Sequence, residues 1–167
     1  MATKLLTAEE VKTIVSPARS IDPAYFDGNI LWTQEVDLKP MLGAALYNDF
    51  LALFLANPLF PTNPTYKIMY DDYIKDIVAC GCAFFTYKRD LISKTDNQGI
   101  MTNNTQYSKS SNVVSQKNVI MQHAEREWYY QTFLASYLCD NQALPDLVLF
   151  DPDVVVLEPH FRDFIPS

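Results

Sequence analysis

The sequence predicts a mainly α-helical protein. It reads as a helical bundle of about five helices around two long ones, with a polar loop or short β-hairpin between the long pair and an extended C-terminal tail. Three observations lead there. Apolar residues recur at steps of three and four over stretches too long for strands. Helix-start signals stand directly before those stretches. Gly is scarce, at 4 of 167 residues, while the 10 Pro punctuate the joints.

Thr7-Ala8-Glu9-Glu10 is a capping box followed by Val11, Ile14 and Val15, which predicts a short first helix ending before Pro17. Asp22-Pro23 pairs an N-cap residue with a proline at the first helical position. The second helix then covers roughly 23–36, with Phe26, Ile30 and either Trp32 or Thr33 near its buried face. Asp37 is the expected cap of a third helix over roughly 39–55, where Pro40 in the first turn starts the helix sharply and turns the chain. Leu42, Leu46, Phe50 and Leu53 form its apolar stripe.

The Pro-rich joint "NPLFPTNP", residues 57–64, is too short and too apolar to link two domains. Asn63 and Pro64 open a fourth helix that runs to about residue 93, with Gly81 its one expected breaker. Tyr66, Tyr70, Tyr73, Ile77, Cys80, Phe84 and Leu91 share one face of it. At the usual rise this helix is about 45 Å long. The last helix covers about 114–141, with Val119, Trp128, Tyr130, Phe133, Leu134, Tyr137 and Leu138 crowding more than one face.

These elements form one helical domain over 1–143, with a polar arm at about 95–113 and a tail over 144–167. The arm is rich in Asn, Ser and Thr, and Asn97-Gln98-Gly99 reads as a turn. Ile100 to Tyr107 is expected as a short hairpin or a mobile loop. A loop this long in a compact domain usually carries function. Four prolines, Pro145, Pro152, Pro159 and Pro166, keep the tail extended, with a strand expected at 154–157. Internal repeats and low-complexity tracts are absent from the sequence.

Net charge is −7 and the one adjacent basic pair is Lys88-Arg89. A protein that grips nucleic acid needs a basic patch to displace counterions, so DNA gripping is not expected. No apolar run approaches the ~18 residues of a membrane span, and no signal peptide is expected at the start. Cys80, Cys82 and Cys139 are read as reduced core thiols, which suits a cytoplasm.

Candidate chemistry is sparse. Asp71, Asp72 and Asp76 follow a DDxxxD pattern, and Asp72 and Asp76 lie one helical turn apart, the spacing at which two carboxylates hold magnesium. The facing metal motif that such enzymes need is missing, and Lys67 and Lys75 suit a solvated, ion-paired face better. His123 and Glu127 have the i, i+4 spacing of metal ligands, but a zinc site needs a third, and His160 stands in the tail without a motif. Cys80 and Cys82 point about 200° apart on a helix, which is wrong for a shared metal. Neither a phosphate loop nor a nucleophile elbow occurs. The Asn103-Asn104-Thr105 sequon carries no weight without secretion. No catalytic residue, metal or cofactor is therefore expected.

The order of elements, the segment "LKPMLGAALY" at 38–47 before the long helix, and "DNQGI" at 96–100 opening the loop resemble the small helical head–tail connector proteins of tailed bacteriophages. The similarity is greatest to the group in phages of Bacteroidetes bacteria, including crAss-like phages. It spans most of residues 5–142 and stops before the tail. The resemblance implies a virion neck-ring subunit, assembled in the bacterial host cytoplasm. Its partners would be copies of itself in a ring beneath the dodecameric portal protein, the portal, and other neck or tail proteins. DNA would only pass through the channel, and no membrane is involved. An acidic lining would let DNA slide. A ring needs two different sticky faces per subunit. Gly99, Ile100, Met101 and Tyr107 in the loop, with Phe161 and Phe164 in the tail, are the expected contact residues. The alternatives are a helical adaptor domain with one protein partner and, more remotely, a magnesium enzyme using the three aspartates.

Overall fold

The computed structural model describes residues 3–15, 22–97 and 106–154, with side chains over 3–15, 22–89 and 117–153. Among them the chain is mainly helical and without strands, in five continuous helical runs. The first is α1 (Ala8–Val15). The second joins α2 (Ala24–Thr33), a wider π turn (Gln34–Leu38) and α3 (Lys39–Leu42). The third is α4 (Ala44–Ala56). The fourth joins α5 (Pro64–Met69), a second π turn (Tyr70–Ile74) and α6 (Lys75–Asn97). The fifth is α7 (Gln106–Asn141), followed by 3-10 turns at Pro145–Leu147 and Pro152–Val154.

The start signals work as expected. Thr7 Oγ1 accepts from the Glu10 N–H at 3.2 Å while Glu10 Oε2 accepts from the Thr7 N–H at 2.8 Å, a reciprocal capping box. Asp22 Oδ1 takes the Ala24 N–H, and Asn63 Oδ1 takes the Tyr66 N–H, each at 3.0 Å. Phe26, Ile30 and Thr33 face inward, whereas Trp32 is 56% exposed.

Lys39-Pro40 does something other than start a helix. The chain stays helical from Ala24 to Leu42, and Asp37, far from capping a new helix, is buried inside the π turn. A proline inside an α-helix drives its ring into the carbonyl four residues back. Here the Lys39 N–H reaches the Gln34 carbonyl, five residues back, and this wider turn opens the space that Pro40 needs. The chain reverses at Gly43 instead, at φ 77° and ψ 151°, a conformation open essentially to glycine. Leu42, Leu46 and Phe50 then point into the core, with Leu53 half-buried.

Two further differences concern the long helices. The last helix begins at Gln106 and α6 ends at Asn97, so both flanks of the expected 95–113 arm are helical. Residues 98–105 lie outside the described residues, as does 155–157 of the expected tail strand, while Pro152–Val154 is a 3-10 turn. The tail's first part packs on its own domain, since Leu147 and Phe150 belong to the core.

The core sits where α6 and α7 run antiparallel, as shown by Tyr73 against Tyr137 and Tyr87 against His123. Helix α2 crosses α6, tied by Asn29 Nδ2 donating to Thr86 Oγ1 at 2.8 Å. The segment before α1 plugs the bundle with Leu5 and Leu6, both buried. Its backbone is satisfied by side chains: the Leu5 N–H donates to Gln34 Oε1 at 2.9 Å, and the Tyr70 hydroxyl donates to the Leu5 carbonyl at 2.7 Å. At the other end Phe50, Phe54, Phe60, Tyr66 and Tyr70 form an aromatic clasp with ring centroids 5.1 to 6.2 Å apart. The clasp holds Phe60 at φ 45° and thereby closes the Pro-rich joint.

Gly43→Ala places a Cβ where the backbone does not tolerate one. It is expected to lower unfolding stability by about 1–3 kcal/mol, read as a lower urea midpoint at an unchanged m-value.

Candidate functional site

The acidic triplet is ion-paired. Asp71 accepts from both Lys67 and Lys75, one turn to either side, and these bonds hold its carboxyl below the ordinary aspartate range. Asp76 Oδ1 accepts from Arg126 Nη2 on α7 at 2.7 Å, and Asp72 stays exposed. Among the described residues no group of three His, Cys, Asp or Glu is placed to hold a metal.

His123 and Glu127 part company despite their spacing. The His123 ring stacks on Tyr87 at 5.6 Å. Burial, aided by the positive charge of Arg126, pulls its pKa down to about 4. Glu127 turns into the core instead. His160 lies outside the described residues. Of the cysteines, Cys80 and Cys82 are buried and Cys139 is exposed, which corrects the expectation of three core thiols. Burial pushes both buried thiols up to about 12, so neither is a nucleophile at neutral pH.

The most unusual chemistry lies where α2, its π turn, α6 and α7 meet. Along the described side chains of α7 the buried residues are Ile120, Ala124, Glu127, Gln131, Leu134 and Leu138, alternating by four and three. That is a continuous seam, but two of its central members are polar, so it does not show as an apolar stripe. Glu127 adjoins Asp37 of the π turn, Gln131 Nε2 donates to Glu127 Oε1 at 3.1 Å, and among the described residues no other group donates to Asp37 Oδ2 or Glu127 Oε2. Both carboxyl groups are buried, Asp37 at 4% and Glu127 at 1% exposure. Burial raises the Glu127 carboxyl well above its ordinary range, and the neighbouring Asp37 raises it further, against the opposing Gln131 bond.

Gly81 makes this meeting possible. A Cβ there would stand 2.6 Å from Thr33 Cγ2 and 2.7 Å from Glu127 Oε1. The expected breaker is therefore a contact point, where three elements approach more closely than any side chain allows. The i, i+4 pattern of His123 and Glu127 drew notice in the sequence, but the partner Asp37 stands 90 positions away from Glu127 in the chain, and no local signal joins them.

The surface carries several apolar groups. Leu55 and Leu59, 67% and 66% exposed, stand beside a recess lined by Leu53, Ala56, Phe60 and Pro61. Tyr129 and Phe133 lie exposed on α7 with rings 4.4 Å apart. Of the expected contact residues, Gly99, Ile100, Met101, Phe161 and Phe164 lie outside the described residues. Tyr107 falls in the first turn of α7 rather than in a loop.

These features define a mainly helical protein in which buried polar groups serve helix junctions. The chain belongs to a family of unknown function, DUF6712, whose model matches residues 38–146. The match runs from the π turn through α7 to the first residues of the tail. No curated protein and no solved structure matches it. No described helix is long and apolar enough to cross a membrane.

Gly81→Ala sets a gain in helix propensity of about 1 kcal/mol against overpacking worth about 1–3 kcal/mol. Thr33 is β-branched and stiff, so overpacking wins. Chemical denaturation is expected to show a less stable variant, although alanine is the better helix former. For Asp71→Asn the loss stays under about 1 kcal/mol, because its lysine pairs are partly solvated. The depressed carboxyl stabilises the fold above the ordinary aspartate pKa and loses that effect on acidification. The variant and the natural chain should therefore converge as the pH falls through and below the aspartate range.

Proposed function

We propose that the chain is a structural subunit of a phage neck ring, joining portal to tail around the DNA channel, and not an enzyme. The resemblance that suggests this reading lies on residues 38–47 and 96–100, and both segments fall inside the region matched by the family. The observation that carries the reading furthest is a pair of exposed apolar patches on different elements. One is Leu55 in the last turn of α4 with Leu59 in the joint after it, and the other is Tyr129 and Phe133 on α7. A heterologous ring interface joins two unlike patches on neighbouring copies. The side chains that drew attention as chemistry are engaged otherwise: Asp71 and Asp76 in ion pairs, His123 in a stack and Glu127 in the core.

Quantitative mass spectrometry of purified phage particles, with the portal protein as copy-number standard, tests this directly. About one copy per portal subunit is expected, and absence from full, infectious particles would sink the reading. A second expectation concerns the patches. Leu55→Asp with Leu59→Asp, and separately Tyr129→Ser with Phe133→Ser, should keep the helical circular dichroism of the natural chain. Each pair should abolish incorporation into particles, because each removes one side of the same ring contact.

A further inference from the structure

We propose that the Asp37–Glu127 contact is a one-proton lock: the folded chain holds a proton between these two carboxyl groups, and losing it loosens α7 from the wall formed by α2, its π turn and α6. Two carboxylates cannot hydrogen-bond to each other unless one of them is protonated. Here the two groups adjoin, both are buried, and among the described residues no other group donates to Asp37 Oδ2 or Glu127 Oε2, so a proton held between them is what satisfies both oxygens. The packing leaves little room for them to part. Gly81 approaches Glu127 so closely that a Cβ there would stand 2.7 Å from Oε1, and Gln131 holds the same oxygen from α7 itself. The arrangement assigns the proton to Glu127, which donates to Asp37 while accepting from Gln131. Ionising the pair would set two negative charges in contact in a low-dielectric junction, and separation of α7 relieves them.

The surrounding groups offer little relief of another kind. On α6, Cys80 is a titratable neighbour, and its thiol stays protonated at neutral pH. Arg126 adjoins Glu127 in sequence but reaches away, to Asp76 Oδ1 and to the Ile14 carbonyl of α1. His123, one turn earlier on α7, is stacked on Tyr87 and neutral above about pH 4. From the second helical run, Gln34 is occupied by the Leu5 segment, and Glu35 is exposed and bonded to Lys39. Thr33 donates its hydroxyl to the Asn29 carbonyl.

The sign follows from linkage. A carboxyl whose folded pKa is raised stabilises the fold fully below its unfolded pKa, and that stabilisation fades as pH rises toward the folded value. His123 acts the other way, with a lowered folded pKa, and its effect is complete above its ordinary value of 6.5. The raised Cys80 and Cys82 pKa values act only near and above the ordinary thiol value of 9.0. Between about pH 6.5 and 8 the lock therefore dominates. Over that window, until Glu127 ionises in the folded state, the unfolding equilibrium constant rises up to tenfold per pH unit.

The test is urea unfolding of the full chain across this window, for the natural protein, Glu127→Gln and Asp37→Asn. Glutamine imitates the protonated acid, donating to Asp37 and accepting from Gln131. The expected result is a falling stability for the natural chain, a flat profile for Glu127→Gln and a shallower one for Asp37→Asn. A Glu127→Gln profile parallel to the natural one would overturn the lock. Infrared spectroscopy of the natural chain near pH 7 decides the matter even if both variants fail to fold. A protonated-carboxyl C=O band, shifted by deuteration, is expected, and its absence would overturn the proposal.

Discussion

The structure depends on a polar contact placed where a helical bundle usually keeps only apolar side chains. Glu127 and Gln131 occupy the middle of the α7 seam, flanked by Ile120 and Ala124 on one side and Leu134 and Leu138 on the other. An apolar seam with this spacing would pack almost as well if α7 slid by one turn. With the carboxyl in the seam, a slide would bury Glu127 against hydrocarbon without Asp37, at a cost of several kcal/mol. The polar pair thus sets the register of the longest helix. It also dictates its surroundings, because space for the carboxyl exists only where α6 offers Gly81 and the second helical run offers Thr33.

The two π turns serve the same architecture. Each widens a helical run without ending it. In the first, the wider turn carries the chain through Pro40 and keeps Asp37 buried at the junction. In the second, Tyr70 to Ile74, it joins α5 to α6 while Tyr70 contributes both to the aromatic clasp and to the Leu5 carbonyl. Junction and clasp therefore share the fourth helical run. The one fixes α7, and the other fixes α4 and the Pro-rich joint. Leu59 and Phe133 are left exposed after both demands are met.

Helix starts and buried aromatic faces were legible in advance, because they rest on contacts between residues three or four apart. The capping box at Thr7, the Asn63 cap and the face of Tyr66, Tyr70, Ile77, Cys80 and Phe84 all stand as read. The errors cluster where a residue's role depends on a distant partner. Asp37 looked like a cap because aspartate before Lys-Pro normally is one, and Glu127 drew notice for its metal-ligand spacing to His123. Gly81 looked like a breaker because only Thr33 and Glu127, both far off in the chain, show why a side chain is excluded. As for function, the apolar groups at the surface could not be told from core residues until the helices were packed. Val119 and Phe133 were read as packed, yet both stand exposed.

By itself the sequence determined the helical class, the helix-initiating caps, the proline-marked joint and the acidic character, since all of these follow from local propensity, capping and composition. Only the tertiary structure decided that Lys39-Pro40 lies inside a helix, that the chain turns at Gly43, and that two acids 90 positions apart share one buried site. The reason is physical. Propensity acts over a single turn, while the energy of a buried charge is set by whatever the fold brings within a few ångströms of it.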